Sequence, residues 1–142
     1  MKEKILVSAC LLGENCSYRG DSNYDADVVE YVKDKEIVPV CPEVLGGLDT
    51  PRAPSERIGN KIVNNLGEDV TKEFHAGALA VAKLVKQQNI KVAILKDRSP
   101  SCGLGQIYDG TFQHKLVDGD GILVEMLKNL GVEVKNSKKI TI

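Results

Sequence analysis

The sequence predicts an α/β fold: a mostly parallel sheet flanked by helices, with a small hairpin. Three observations predict it. Short apolar runs of strand length alternate with segments of helical period. The order strand, helix, strand, helix, strand, helix, strand is that of crossover units around a parallel sheet. The chain has 142 residues, 42% hydrophobic and 27% charged, enough to bury one core without staples. The expectation is a single domain over residues 1–142.

The elements follow in order. Residues 4–9 contain Ile5, Leu6 and Val7, a run that suits a buried strand. Residues 13–23 are polar and carry glycine. Residues 25–33 set Val28, Val29 and Val32 on one face of a short helix. Residues 37–40 read as a second strand, although Pro39 fits only a strand end or an unpaired position. Residues 41–60 read as one long loop, with Pro42, Gly46, Gly47, Pro51 and Pro54. Loops of that length in compact domains are commonly functional. Residues 58–63 suggest a hairpin around Gly59 and Asn60.

Residues 71–88 predict the longest helix. Phe74, Ala78, Val81 and Val85 recur at three- and four-residue steps, with Thr71 as the expected cap. Residues 92–95 give a third buried strand, followed by a Pro/Gly-rich loop over 99–105. Residues 108–115 suggest a hairpin turning at Asp109 and Gly110. Residues 121–130 predict a last helix stopped by Gly131, and 132–134 a last strand. The tail is polar and lysine-rich.

Bulk properties exclude several classes. A net charge of −1 gives no global field toward nucleic acid or membrane surfaces. Aromatics are 4% and Trp is absent, which removes stacking platforms for single strands. Both facts argue against a nucleic-acid partner. No run approaches the roughly 20 apolar residues of a membrane span, and the N-terminus lacks a secretory pattern. The expected location is the cytoplasm, where cysteines serve as metal ligands, nucleophiles or core more often than as disulfides. The oligomeric state is left open.

There are four cysteines: Cys10, Cys16, Cys41 and Cys102. Cys10 follows the first strand, Cys41 the second, and Cys102 lies in the loop after the third. Ligands of open α/β sheets bind beyond the carboxyl ends of the strands. Three thiols far apart in sequence are therefore expected on one rim. A phosphatase loop needs an Arg six residues after its cysteine, and those positions hold Cys16, Gly47 and Tyr108. Neither a redox Cys-x-x-Cys nor paired zinc ligands occur. Three isolated thiolates suit an iron–sulfur cluster. A cubane has four irons, so three protein ligands leave one open as a Lewis acid for a soft sulfur atom. Cys16 as a fourth ligand would instead close the cluster and favour an electron or sulfur carrier. A zinc-stabilised binding module is the other rival.

Other chemistry-bearing residues share these loops. Glu43 stands two residues after Cys41 and can act as general acid or base in a dry pocket. Ser99 and Ser101 precede Cys102 by three residues and one, where hydroxyls can position water, donate to sulfur or relay a proton. Arg52, Arg57, Lys96 and Arg98 can bind phosphate or carboxylate. His75 and His114 have no partner at metal spacing and are left out of the chemistry.

Several blocks resemble one family. They are Val7-Ser8-Ala9-Cys10-Leu11-Leu12-Gly13, Cys16 with Tyr18-Arg19-Gly20, Pro39-Val40-Cys41-Pro42-Glu43, Gly46-Gly47-Leu48, Pro51-Arg52-Ala53-Pro54-Ser55-Glu56, and Leu95-Lys96 with Ser99-Pro100-Ser101-Cys102-Gly103. In this order they resemble domain of unknown function 523, whose characterised members are thiouracil desulfidases. The resemblance implies a Rossmann-like fold and a 4Fe–4S cluster held by Cys10, Cys41 and Cys102. It implies Glu43 and Ser99 as the catalytic pair, and non-redox replacement of a thiocarbonyl sulfur by oxygen with release of sulfide. Longer relatives act on thiolated tRNA through an added domain. This sequence shows no such extension, which favours a small thiolated base or nucleotide such as 4-thiouracil. The role of Cys16 is not carried over.

Overall fold

A computed structural model describes residues 3–137. The chain runs β1 (Lys4–Ser8), a 3₁₀ turn (Ala9–Leu12), α1 (Ala26–Val32), β2 (Glu36–Val40), α2 (Pro42–Leu45), β3 (Ser55–Ile58), β4 (Lys61–Asn64), α3 (Thr71–Gln88), β5 (Val92–Leu95), β6 (Gln106–Tyr108), β7 (Leu116–Asp118), α4 (Ile122–Asn129) and β8 (Glu133–Asn136).

The main sheet has four strands in the order β2-β1-β5-β8. Its three pairings are parallel, with Leu6 beside Val38 and Ala93, and Ala93 beside Val134. Side chains alternate across the sheet as strand geometry requires. Ile5, Val7 and Ile94 pack with Val28 and Val32 of α1. Leu6, Ala93 and Leu95 pack on the other side with Phe74, Ala78, Val81 and Val85 of α3 and Leu123 and Leu127 of α4. Ile5, Leu6 and Val7 are fully buried. Burial of each contributes on the order of 2 kcal/mol. The chain leaves β1 for β2 on one side and returns to β5 on the other. Right-handed crossovers then require α1 on the face opposite α3 and α4, as found. The strand order reverses between β1 and β5, the place where sheets of this kind bind ligands.

Local chemistry explains most boundaries. Asp25 caps α1, its side chain accepting from the amides of Asp27 and Val28 at 3.0 and 3.2 Å. Pro39 is accommodated because β2 is an edge strand. Asn89 ends α3 with a left-handed φ of 53°, and Gly131, at φ 79°, follows α4.

Several expectations are corrected. Thr71 does not cap α3: the cap position is Val70, without a side-chain bond. The Thr71 hydroxyl instead accepts from the amide of Ile62 at 2.8 Å, tying α3 to the hairpin. The stretch 41–60 is not all loop. It holds α2, begun by Pro42 in the first helical turn. The predicted hairpin at 58–63 is longer, with Ile58 opposite Lys61 across Gly59 and Asn60. The hairpin expected at 108–115 does not turn tightly at Asp109 and Gly110. Residues 109–115 form a loop between β6 and β7, because Asp109 Oδ1 accepts from the amide and hydroxyl of Thr111 and draws the chain into a wider path. The last strand lies at Glu133–Asn136, displaced toward the C-terminus from the expected 132–134. Among the described residues no helix is long and apolar enough to cross a membrane.

Candidate active site

Beyond the carboxyl ends of β1, β2 and β5 lies a cavity of about 610 Å³. Cys10, Cys16, Cys41 and Cys102 all line it, as do Glu43 and Ser99. That volume lies within the range of small-molecule sites.

Each thiol is set by a different device. Cys10 sits in the 3₁₀ turn directly after β1, and its carbonyl accepts from the amides of Gly13 at 3.3 Å and Asn23 at 3.0 Å. Gly13 adopts φ 104°, a conformation suited to glycine. Cys41 directly follows β2 and occupies the cap position of α2. Cys102 lies in a turn held from both ends. Ser99 Oγ accepts from the Cys102 amide at 2.6 Å, and the Ser99 carbonyl accepts from the Gly103 amide at 3.0 Å. The amides of Ile122 and Leu123, at the start of α4, donate to the carbonyls of Pro100 and Ser101 at 2.8 and 3.0 Å. Those bonds satisfy free helix donors and lock the Cys102 turn onto α4.

The electrostatics are those of thiols taken out of water. Burial pushes the Cys10 thiol up, with Cys41 and Glu43 adding to the push, while a hydrogen bond with Asn23 and the Lys96 ammonium pull it down. Burial and the nearby Glu43 and Cys10 push the Cys102 thiol up to about 12, against the pull of the neighbouring Ser8 and Ser101 hydroxyls. Cys16 is also pushed up to about 12, by burial first and then by Cys41 and Cys10. Cys10 thus acts on Cys16 and Cys102, and Cys41 acts on Cys10 and Cys16. A cationic core that ionises such thiols offsets this desolvation, so metal binding there releases protons.

The donor set fits an iron–sulfur cluster: soft sulfur ligands on one cavity, with Cys102 buried and the others partly shielded from water. Among the described residues no group of three or more His, Cys, Asp or Glu is arranged to hold a single metal ion. Cubane ligands meet a different requirement, since each cysteine takes a different iron at its own corner.

Glu43 is held rather than free. Arg52 Nε donates to Glu43 Oε2 at 3.0 Å, and Arg52 Nη2 donates to the same oxygen. Their side chains are only 17% and 10% exposed, so the pair is mostly shielded from water. Arg52 also donates to the carbonyls of Cys16 at 3.0 Å and Asp49 at 3.1 Å. Arg52 therefore ties Glu43 to the loop that carries Cys16. Ser101 is fully buried and does not line the cavity; its Oγ lacks a partner of ordinary hydrogen-bond geometry while lying against the Cys102 thiol.

The remaining expectations divide. Lys96 and Arg98 line the cavity. Arg57 does not: it donates to the carbonyls of Gly59 and Asp120 at 2.7 Å each and pairs with Glu125, fastening the β3–β4 hairpin to α4. His75 is exposed on α3. His114 lines the cavity, as do Asn23, Glu56, Tyr108 and Phe112, which sequence reasoning passed over. In a chain with only two Phe and four Tyr, the pairing of Tyr108 and Phe112 in one short segment was the available signal.

A family model described as 2-thiouracil desulfurase matches residues 5–139. The solved structure of the 4Fe–4S-dependent thiouracil desulfidase TudS is similar with a TM-score of 0.92 and 41% identity, covering 98% of this chain and 93% of that one. The uncharacterised protein YbbK of Bacillus subtilis (strain 168) is 40% identical over 146 residues, covering 96% of this chain and 97% of its own.

Proposed function

We infer, from the premise that this chain belongs to the 2-thiouracil desulfurase family, that it is a 4Fe–4S-dependent, non-redox desulfidase. It replaces the thiocarbonyl sulfur of a thiolated nucleobase or nucleotide by oxygen and releases sulfide. The observation that carries the reading is the convergence of Cys10, Cys41 and Cys102 from three strand ends on one cavity. The same reading takes residues 1–142 as one Rossmann-like domain acting in the cytoplasm on a small molecule. Four cysteines that are all free thiols suit such a reducing compartment.

Cys10, Cys41 and Cys102 are assigned as the cluster ligands. When bound, the cluster supplies a Lewis-acidic iron without a protein ligand, to which a soft sulfur can attach. The protein's own groups handle water and protons. Water supplies the oxygen of the new carbonyl, and its two hydrogens leave with the sulfide. Glu43 is assigned to take a proton from that water, with Arg52 on Oε2 fixing the carboxylate and leaving Oε1 outside the pair. Ser99 is assigned to orient the ring or pass the proton on. Its Oγ lone pair is engaged by the Cys102 amide, which leaves its own hydrogen to donate. Ser101 is assigned to support the Cys102 sulfur from the buried side.

The test uses anaerobically reconstituted protein. Iron and sulfide content, near-ultraviolet and visible absorbance, and sulfide released from 2-thiouracil and 4-thiouracil are measured. Cys→Ala at 10, 41 or 102 is expected to remove the absorbance; full colour in all three variants rejects the assignment. Glu43→Ala is expected to keep the colour and lose turnover. One observation favours a rival: Cys16 lies against Cys41. A closed cluster using Cys16 would make an electron carrier, which predicts reversible redox cycling and no sulfide release.

A further inference from the structure

The loop between β6 and β7 is built with unusual care for a surface segment. Glu56, on β3, is only 8% exposed. Its Oε1 accepts from two backbone amides of this loop, Gly110 at 2.9 Å and Phe112 at 3.1 Å. A buried carboxylate that clamps two amides fixes a loop far more firmly than exposed contacts do. The loop also holds two non-glycine residues in the left-handed region, Phe112 at φ 59° and His114 at φ 58°. Such conformations persist only where surrounding structure enforces them, and they gather at ligand-binding segments.

What the clamp positions is aromatic. Phe112, His114 and Tyr108 all line the cavity shared by Cys10, Cys41 and Cys102. Tyr108 and His114 meet edge to face, with centroids 6.2 Å apart and planes at 81°. This T-shaped contact braces the histidine ring against the strand. Gly110 lets the loop close down on the hairpin, since a Cβ there would lie 2.2 Å from Ile58 Cγ1. The result is three ring-bearing side chains on the lining of the thiol cavity, in a protein otherwise poor in aromatics.

We propose that this loop is the base-recognition element of the site, with Phe112 stacking on the heterocyclic ring and Glu56 as the positioning residue that presents it. The ligand class is a planar pyrimidine, thiolated or not, because stacking reads the ring face and not its substituents. The proposal rests on the desulfidase reading for the substrate and extends it to the residues that hold the ring.

The experiment compares Phe112→Leu, Phe112→Tyr and Glu56→Ala with the wild-type holoenzyme. Cluster absorbance is recorded first, as evidence that each variant is folded and loaded. KM and kcat for 4-thiouracil are then measured, and uracil is titrated under anaerobic conditions. Phe112→Leu, which keeps apolar bulk but loses the ring, is expected to weaken uracil binding and raise KM about 5- to 100-fold, with kcat less affected. Phe112→Tyr is expected to remain within about twofold of wild type, since the ring is kept. Glu56→Ala is expected to follow Phe112→Leu with the cluster intact. Equal uracil affinity in wild type and Phe112→Leu overturns the proposal, as does a wild-type protein that does not bind uracil. A wild type that binds uracil but releases no sulfide from thiouracil rejects the desulfidase reading alone, and the uracil titration still decides the role of Phe112.

Discussion

Gly46 and Gly77 face each other where α2 crosses α3. A Cβ on Gly77 would lie 1.8 Å from the Pro42 carbonyl oxygen, and one on Gly46 would lie 1.9 Å from the Glu73 carbonyl oxygen. The two backbones thus touch directly. This contact seats α2, and with it Cys41 and Glu43, against the long helix. On helix propensity alone, Gly77→Ala should stabilise by about 1 kcal/mol. The contact reverses the sign. Denaturant unfolding is expected to show a loss of about 1–3 kcal/mol, as for overpacked positions. A variant as stable as the parent would show that α2 can shift freely.

A second steric lock lies under Cys102. A Cβ on Gly121 would lie 2.3 Å from the Ser101 carbonyl carbon and oxygen. Gly121→Ala must therefore push the Ser99–Cys102 turn away from α4. The expected result is folded protein that loads less iron and sulfide after reconstitution, read as stoichiometry per chain. Wild-type loading would mean that the turn yields without moving its sulfur.

Arg52 supplies a third prediction. Arg52→Ala leaves the mostly buried Glu43 carboxylate without its cation, a loss of about 3 kcal/mol by comparison with broken buried pairs. Arg52→Lys keeps the charge but not the fork that holds Oε2 by two nitrogens and reaches the Cys16 and Asp49 carbonyls. Stability in the lysine variant should recover more than turnover does. Equal recovery of both would reduce Arg52 to a structural role.

Much of this was legible in the sequence because strand and helix periods are local. The runs around Leu6, Val38 and Ala93 gave three neighbouring strands, and the convergence of Cys10, Cys41 and Cys102 follows from where those strands stop. Long-range contacts were not legible. Nothing local marks Glu43 as the partner of Arg52, or Glu56 as acceptor for the amides of Gly110 and Phe112 across more than fifty residues. The Thr71 cap failed for the same reason, since the hydroxyl found a better-placed donor in Ile62. Nothing in their local sequence marks the glycines at 46, 77 and 121 as packing positions. Their actual role is close approach of two backbones, which only the packing reveals.

Asp120 gives the pH-dependent test. Its Oδ1 accepts from the Gly105 amide at 2.8 Å, and its Oδ2 pairs with Lys128 at 2.8 Å. Partial burial raises its carboxyl pKa, but the Lys128 ammonium, the Gly105 amide and the charge of Arg57 outweigh burial and hold it below the usual carboxylate range. A group whose folded pKa is depressed contributes stability that is fully present above its unfolded value, about 3.9, and lost as pH falls through the folded one. Asp120→Asn keeps the shape and removes the charge. Wild type is expected to exceed this variant in urea unfolding by about 1–2 kcal/mol at pH 7. The gap should narrow only below about pH 5 and close once the wild-type carboxyl is protonated. A gap that stays constant from pH 7 to strong acid would assign the difference to hydrogen-bond geometry rather than to charge.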